Sequence, residues 1–142
     1  MSVFQRFGSI GMLLIVCALH SAHAAADDRK VVLQISDASA EKQALVLNVA
    51  NNLVNHYRSD LKLEVVAFGP GLRLLFADNV NAVRVQGLTA AGVRFSACQN
   101  TVAAMTRELG HAPKLSEHAT PVDVGVGRLL DLTSQGYTLV RP

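Results

Sequence analysis

Apolar residues fall into two kinds of run along this chain, and the two alternate. Lys30 to Ile35 (KVVLQI), Leu61 to Phe68 (LKLEVVAF) and Val93 to Ala97 (VRFSA) are short and β-branched. Their near-continuous apolar character matches strands buried on both faces, the usual state in a parallel sheet. Between the first two, Val46, Val49, Ala50, Leu53 and Tyr57 recur at helical spacing, with Asn48, Asn51, Asn52 and Asn55 on the other side. Ser39 is placed to cap that helix and Glu41 to favour its positive end, so a helix is predicted over about 40–58. The asparagine row suits either a subunit contact or an ordinary exposed face.

Gly69-Pro70-Gly71 stops the second strand, and Leu72 to Phe76 reads as a short helix. Val80 to Ala91 fits a helix through Val80, Val83, Val85 and Leu88, or a Val-rich strand. The helix-ending Thr89-Ala90-Ala91-Gly92 favours the helix. A further helix starts at Asn100 and Thr101, runs through Val102, Ala103, Met105 and Leu109, and closes at Gly110. His111 to Pro121 is polar with two prolines and predicts a loop. Val122 to Val124 then reads as a short strand, Gly127 to Ser134 as a helix and Tyr137 to Arg141 as the last strand. Strands alternating with helices predict a parallel sheet between helical layers, wound by right-handed crossovers.

The N-terminal segment does not fit that alternation. Arg6 is followed by an uncharged apolar run, Gly8 to Leu19, and then by Ala22-His23-Ala24. A basic start, a short apolar core and an A-x-A site make a secretory signal. The run has about a dozen residues, whereas a membrane-spanning helix needs roughly 20. Cleavage is expected after Ala24, or else after Ala26, which leaves one domain over 25–142 in a periplasmic or secreted setting. Val16 before Cys17 is larger than the residue a lipoprotein site requires, so Cys17 is expected to leave with the signal peptide.

Composition then narrows the function. The chain has 142 residues, 13 basic and 11 acidic. Removing residues 1–24 takes away only Arg6, leaving a net charge of about +1 and no electrostatic case for nucleic acid or for a membrane surface. One cysteine, Cys98, remains, so no internal disulfide can form. His56, His111 and His118 offer no tight metal-ligand spacing beside it. Neither a metal nor another cofactor is expected.

In open α/β sheets, ligands bind beyond the carboxyl ends of the strands. Asp37, Gly69-Pro70-Gly71 and Cys98 with Asn100 and Thr101 all follow predicted strands. Cys98 sits where a strand hands over to a helix, a placement that lowers a thiol pKa and favours the nucleophilic thiolate. It is either that reactive group or a buried inert one. Gly69, Pro70 and Gly71 form either a plain turn or part of the lining beside Cys98. Asp37 is either a turn residue capping the first helix or a carboxylate near the thiol.

The order KVVLQISD, NNLVNHY, LEVVAFGPGL, GVRFSACQNT and GVGRLLDLTSQGYTLVRP resembles the DsrE/DsrF-like family over nearly the whole mature chain. That resemblance implies a three-layer α/β/α sandwich around a mainly parallel, about five-stranded sheet, assembled as a trimer or hexamer. It also implies sulfur transfer through a persulfide on Cys98, with a thiol or sulfane-sulfur donor and acceptor as partners. The alternative is a non-catalytic oligomeric binding protein in which Cys98 is inert or only lines a pocket. An export signal departs from the cytoplasmic relays of that family, and excludes a tRNA-linked role if it operates.

Overall fold

The computed structural model describes residues 29–142. The expected signal peptide and both expected cleavage positions lie outside the described residues. Among the described residues five strands form one sheet: β1 (Arg29–Ile35), β2 (Leu61–Ala67), β3 (Arg94–Cys98), β4 (Ala119–Val122) and β5 (Thr138–Val140). Their spatial order is β4-β3-β2-β1-β5, and every neighbouring pair is parallel. Among the described residues four α-helices join them: α1 (Ala40–Tyr57), α2 (Ala82–Ala90), α3 (Gln99–Leu109) and α4 (Gly125–Ser134). A seven-residue 3-10 helix, Gly69–Leu75, precedes α2.

The layering follows from strand order. β1, β2, β3 and β4 advance across the sheet in one direction, so right-handed crossovers put α1, α2 and α3 on one face. The last connection returns from β4 to β5 across the whole sheet, and the same handedness sends α4 to the opposite face. Two apolar clusters result. On the first face, Leu33, Val65, Ala67 and Phe95 pack against Val46 and Leu47 of α1, Val85 and Leu88 of α2, and Leu72 and Leu75 of the 3-10 helix. On the second, Val32 and Val66 meet Leu129 and Leu132 of α4, with Phe68 and Tyr137 at the margin. Each fully buried Val, Leu or Phe among them contributes about 1.5–3 kcal/mol relative to exposure.

The three-layer α/β/α architecture is therefore as expected, and the sheet is wholly parallel. Ser39 caps α1 through its hydroxyl, which accepts the Lys42 N–H at 3.2 Å. The ambiguous Val-rich segment is the helix α2. The asparagine row of α1 is exposed, and Asn48 accepts a bond from Arg84 of α2 at 2.6 Å.

Several boundaries differ from the sequence reading, most by one or two residues, and three of them have a bearing on the site or the sheet edge. The short helix begins at Gly69 rather than Leu72, because Pro70 near its start has no N–H to leave unpaired. Helix α4 begins at Gly125 rather than Gly127. Strand β4 is Ala119–Val122 rather than Val122–Val124, and it contains Pro121. Proline is tolerated there because β4 is an edge strand with one side unpaired.

Candidate functional site

Strand order also selects one loop cluster. The loop after β3 leads into α3 on one face, while the loop after β4 leads into α4 on the other. Two adjacent strands whose connections diverge mark a topological switch point, the region of open α/β sheets in which ligands are commonly bound. Cys98 is the last residue of β3 and stands opposite Val122 of β4. Asn100 N–H ties the two loops together by donating to the Asp123 carbonyl at 3.2 Å.

Cys98 is also the residue before α3, and no side-chain oxygen caps either α3 or α4. The first N–H groups of a helix have no partner within it and favour a negative charge. Here the Gly125 N–H, first in α4, donates to Cys98 Sγ at 3.2 Å. Two helix starts thus converge on one sulfur. Glycine suits this close approach: a Cβ at position 125 would lie 3.0 Å from Phe68 Cβ and 3.1 Å from Cys98 Cβ, so those neighbours would have to give way by a few tenths of an ångström.

Cys98 is 4% exposed. Burial opposes its ionisation and is the largest single influence on it. The Thr101 hydroxyl, the Gly125 N–H and the Thr101 and Asn100 N–H groups together outweigh burial, so the Cys98 pKa lies below its ordinary value. Thr101 is oriented for this task. Its hydroxyl oxygen accepts the Gly69 N–H at 2.9 Å, which leaves the hydroxyl proton for the sulfur. Replacing Thr101 with valine keeps the shape and removes that donor. The thiolate ultraviolet absorbance of T101V is expected to appear at higher pH than in wild type, and an unmoved titration would show that the hydroxyl is irrelevant to the charge.

A groove of about 370 Å³ lies beside the thiol, between the 3-10 helix and α3. Gly69, Pro70, Asn100 and Thr101 form its end nearest Cys98, and Phe76, Met105 and Leu109 supply apolar wall. Arg73 and Glu108 are its charged residues. Cys98 itself is one side chain behind the wall, in contact with the Thr101 and Asn100 that line it.

A solved structure provides the comparison. The protein of unknown function MTH1491 from Methanobacterium thermoautotrophicum is 32% identical, over 81% of this chain and 100% of that one, with a TM-score of 0.73. This chain belongs to the MTH1491 family. No family model matches the sequence, and no curated protein does.

In this member of the MTH1491 family, the expected site residues are only partly brought together. Cys98, Asn100, Thr101, Gly69 and Pro70 share one corner. Gly71 is adjacent but does not line the groove. A Cβ on it would fall 2.4 Å from the Ile35 carbonyl oxygen, so it serves the close packing of the 3-10 helix on β1. Asp37 does not approach the thiol. It follows β1, two strands away from β3, and accepts the Ser39 N–H at 2.7 Å, so its part is the turn that leads into α1. Among the described residues no three His, Cys, Asp or Glu side chains are grouped so as to hold a metal ion.

A second polar cluster escaped the sequence reading. Glu64 of β2 is buried under α4 and receives both Arg128 donors, Nε at 2.8 Å and Nη2 at 2.7 Å. The Ser96 hydroxyl donates to it at 2.6 Å, and Arg94 Nε stands 3.8 Å away. Burial pushes the Glu64 carboxyl up, but the Arg128 and Ser96 bonds and the charges of Arg128 and Arg94 bring it below its usual range. Arg128 is one helical turn beyond Gly125. The pair therefore clamps the start of α4 onto the sheet at the place where its N–H meets the sulfur. The available signal was an acid inside an otherwise apolar strand run, LEVVA, which had to be paired if buried.

Proposed function

We propose that this protein is a sulfur carrier that holds sulfane sulfur as a persulfide on Cys98, in the manner of DsrE/DsrF-like proteins, acting outside the cytoplasm after loss of residues 1–24. The observation that carries this reading is the Gly125 N–H on the Cys98 sulfur at 3.2 Å, with Thr101 and Asn100 favouring the anion beside it. A thiolate so held attacks the outer sulfur of a donor R–S–SH. The donor S–S bond breaks, R–S⁻ leaves with its electron pair, and a new S–S bond makes Cys98–S–SH. No external oxidant or reductant enters the balance. An acceptor thiolate then repeats the same exchange on Cys98–S–SH and restores the Cys98 thiolate. The donors that favour the thiolate also suit a persulfide anion in the same corner.

Assembly as a homo-oligomer, trimeric or hexameric, belongs to the same reading. Val126 and Leu130 on α4 and Leu139 on β5 are 52%, 66% and 44% exposed. All three lie on the face of the sheet that, among the described residues, α4 alone covers.

A second reading, an oligomeric binding protein with an inert Cys98, draws on the 4% exposure of that residue. Intact-mass measurement after incubation with inorganic polysulfide separates the two. The carrier gains one sulfur, ~32 Da, and Cys98→Ser gains none. Unmodified wild-type protein, together with slow alkylation by iodoacetamide at neutral pH, would sink the carrier and leave the binding protein.

A further inference from the structure

We propose that the groove between the 3-10 helix and α3 seats a short peptide thiol or its persulfide, carrying both a carboxylate and an ammonium group, with the sulfur at the Thr101 end. The inference rests on the carrier reading for the sulfur step but not for binding. Three features of the groove select this class of ligand.

The first is charge. Arg73 and Glu108 both line the groove, and among the described residues neither has an ion-pair partner. Arg73 lies 6.0 Å from the Phe76 ring centroid, which places its planar guanidinium along the wall. A guanidinium recognises a carboxylate by paired N–H donors, and a carboxylate recognises an ammonium. One cation and one anion in a single groove match a zwitterion better than an inorganic sulfur anion, which Glu108 would repel.

The second is reach. Seven residues of helix separate Thr101 from Glu108, ~10 Å at the α-helical rise. Four residues of 3-10 helix separate Gly69 from Arg73, ~8 Å. Extended chain advances about 3.5 Å per residue, so a ligand with its sulfur at Thr101 needs about three residues' length to place its charges at Arg73 and Glu108. A single amino-acid thiol is too short for that span.

The third is surface. Phe76, Met105 and Leu109 give apolar walls between the charged ends, and about 370 Å³ lies within the usual range for small-molecule sites. Loading would follow the exchange given above, with the peptide thiolate as leaving group.

The test separates binding from transfer. Isotope-labelled Cys98→Ser protein, lacking residues 1–24, is titrated with reduced glutathione and followed by amide chemical shifts. Saturable shifts are expected at Gly69, Arg73, Thr101 and Glu108. Arg73→Ala is expected to weaken binding about tenfold, and Glu108→Gln about threefold. β-Mercaptoethanol, a thiol with neither charge, is expected to give no saturable shift. Absence of saturation by glutathione, or equal affinity in both variants, overturns the proposal. In wild type, loading by inorganic polysulfide that is unchanged by Arg73→Ala, with no glutathione binding, would leave the carrier and remove the ligand. Glutathione binding with no sulfur uptake from any donor would do the reverse.

Discussion

Arg128→Met is expected to destabilise the fold by about 3 kcal/mol near neutral pH, and the loss should shrink as the solution is acidified. Removing one partner of a buried ion pair costs about 3–5 kcal/mol, because the other charge stays desolvated and unpaired. Glu64 is 4% exposed at its side chain and Arg128 25%, so water reaches one side of the pair and the lower end applies. The sign of the pH effect follows from linkage. In wild type the Glu64 carboxyl lies below its usual range. Its contribution is therefore complete above the unfolded value of about 4.3 and is lost as pH falls through the folded value. In the variant, burial is opposed only by Ser96 and the more distant Arg94, and the carboxyl moves up. The variant then suffers most when Glu64 must be charged and recovers on protonation. Urea unfolding of both proteins at about pH 7 and about pH 4 measures the difference. An equal gap at the two pH values would mean that the pair does not set it. Because Arg128 holds the start of α4, the same variant should also raise the pH at which the Cys98 thiolate appears.

Gly71→Ala should cost the fold about 3 kcal/mol or more, at the top of the range for overpacking. The added Cβ would lie 2.4 Å from the Ile35 oxygen, 2.6 Å from the Ile35 carbonyl carbon and 2.8 Å from Ser36 Cα. All three are backbone atoms at the end of β1, a strand paired on both sides, so no side-chain rotation relieves the clash. The 3-10 helix must lift from the sheet. Gly69, Pro70 and Arg73 move with it, so the groove beside Cys98 should lose amide protection in hydrogen exchange. Gly87→Ala is the matched control. It lies within α2, a Cβ there meets nothing within 4 Å, and a gain of about 0.5–1 kcal/mol is expected. Equal thermal midpoints for Gly71→Ala and wild type would show that the contact yields more easily than backbone packing allows.

Much of the frame was legible because local chemistry decides it. β1 and β2 are runs of strand length rich in β-branched residues, and α1 declares itself through Ser39 and its apolar spacing. The position of Cys98 at a strand end was equally local. Less legible were elements whose form depends on neighbours. β4 is short, partly exposed and contains a proline, and only its pairing with β3 makes it a strand.

The amino-acid order by itself determined the alternation of strand and helix, and it put the thiol at a strand-to-helix junction. Those properties arise within a few residues, from side-chain shape, capping and burial. Tertiary structure alone decided that α4 crosses to the second face and brings Gly125 to the sulfur. It also chose Arg128 for Glu64 and set Asp37 apart, two strands from the thiol. The physical reason is that these contacts join segments far apart in the chain, such as Glu64 and Arg128. Their meeting depends on which strands pair and which way each crossover turns, and no local pattern encodes that.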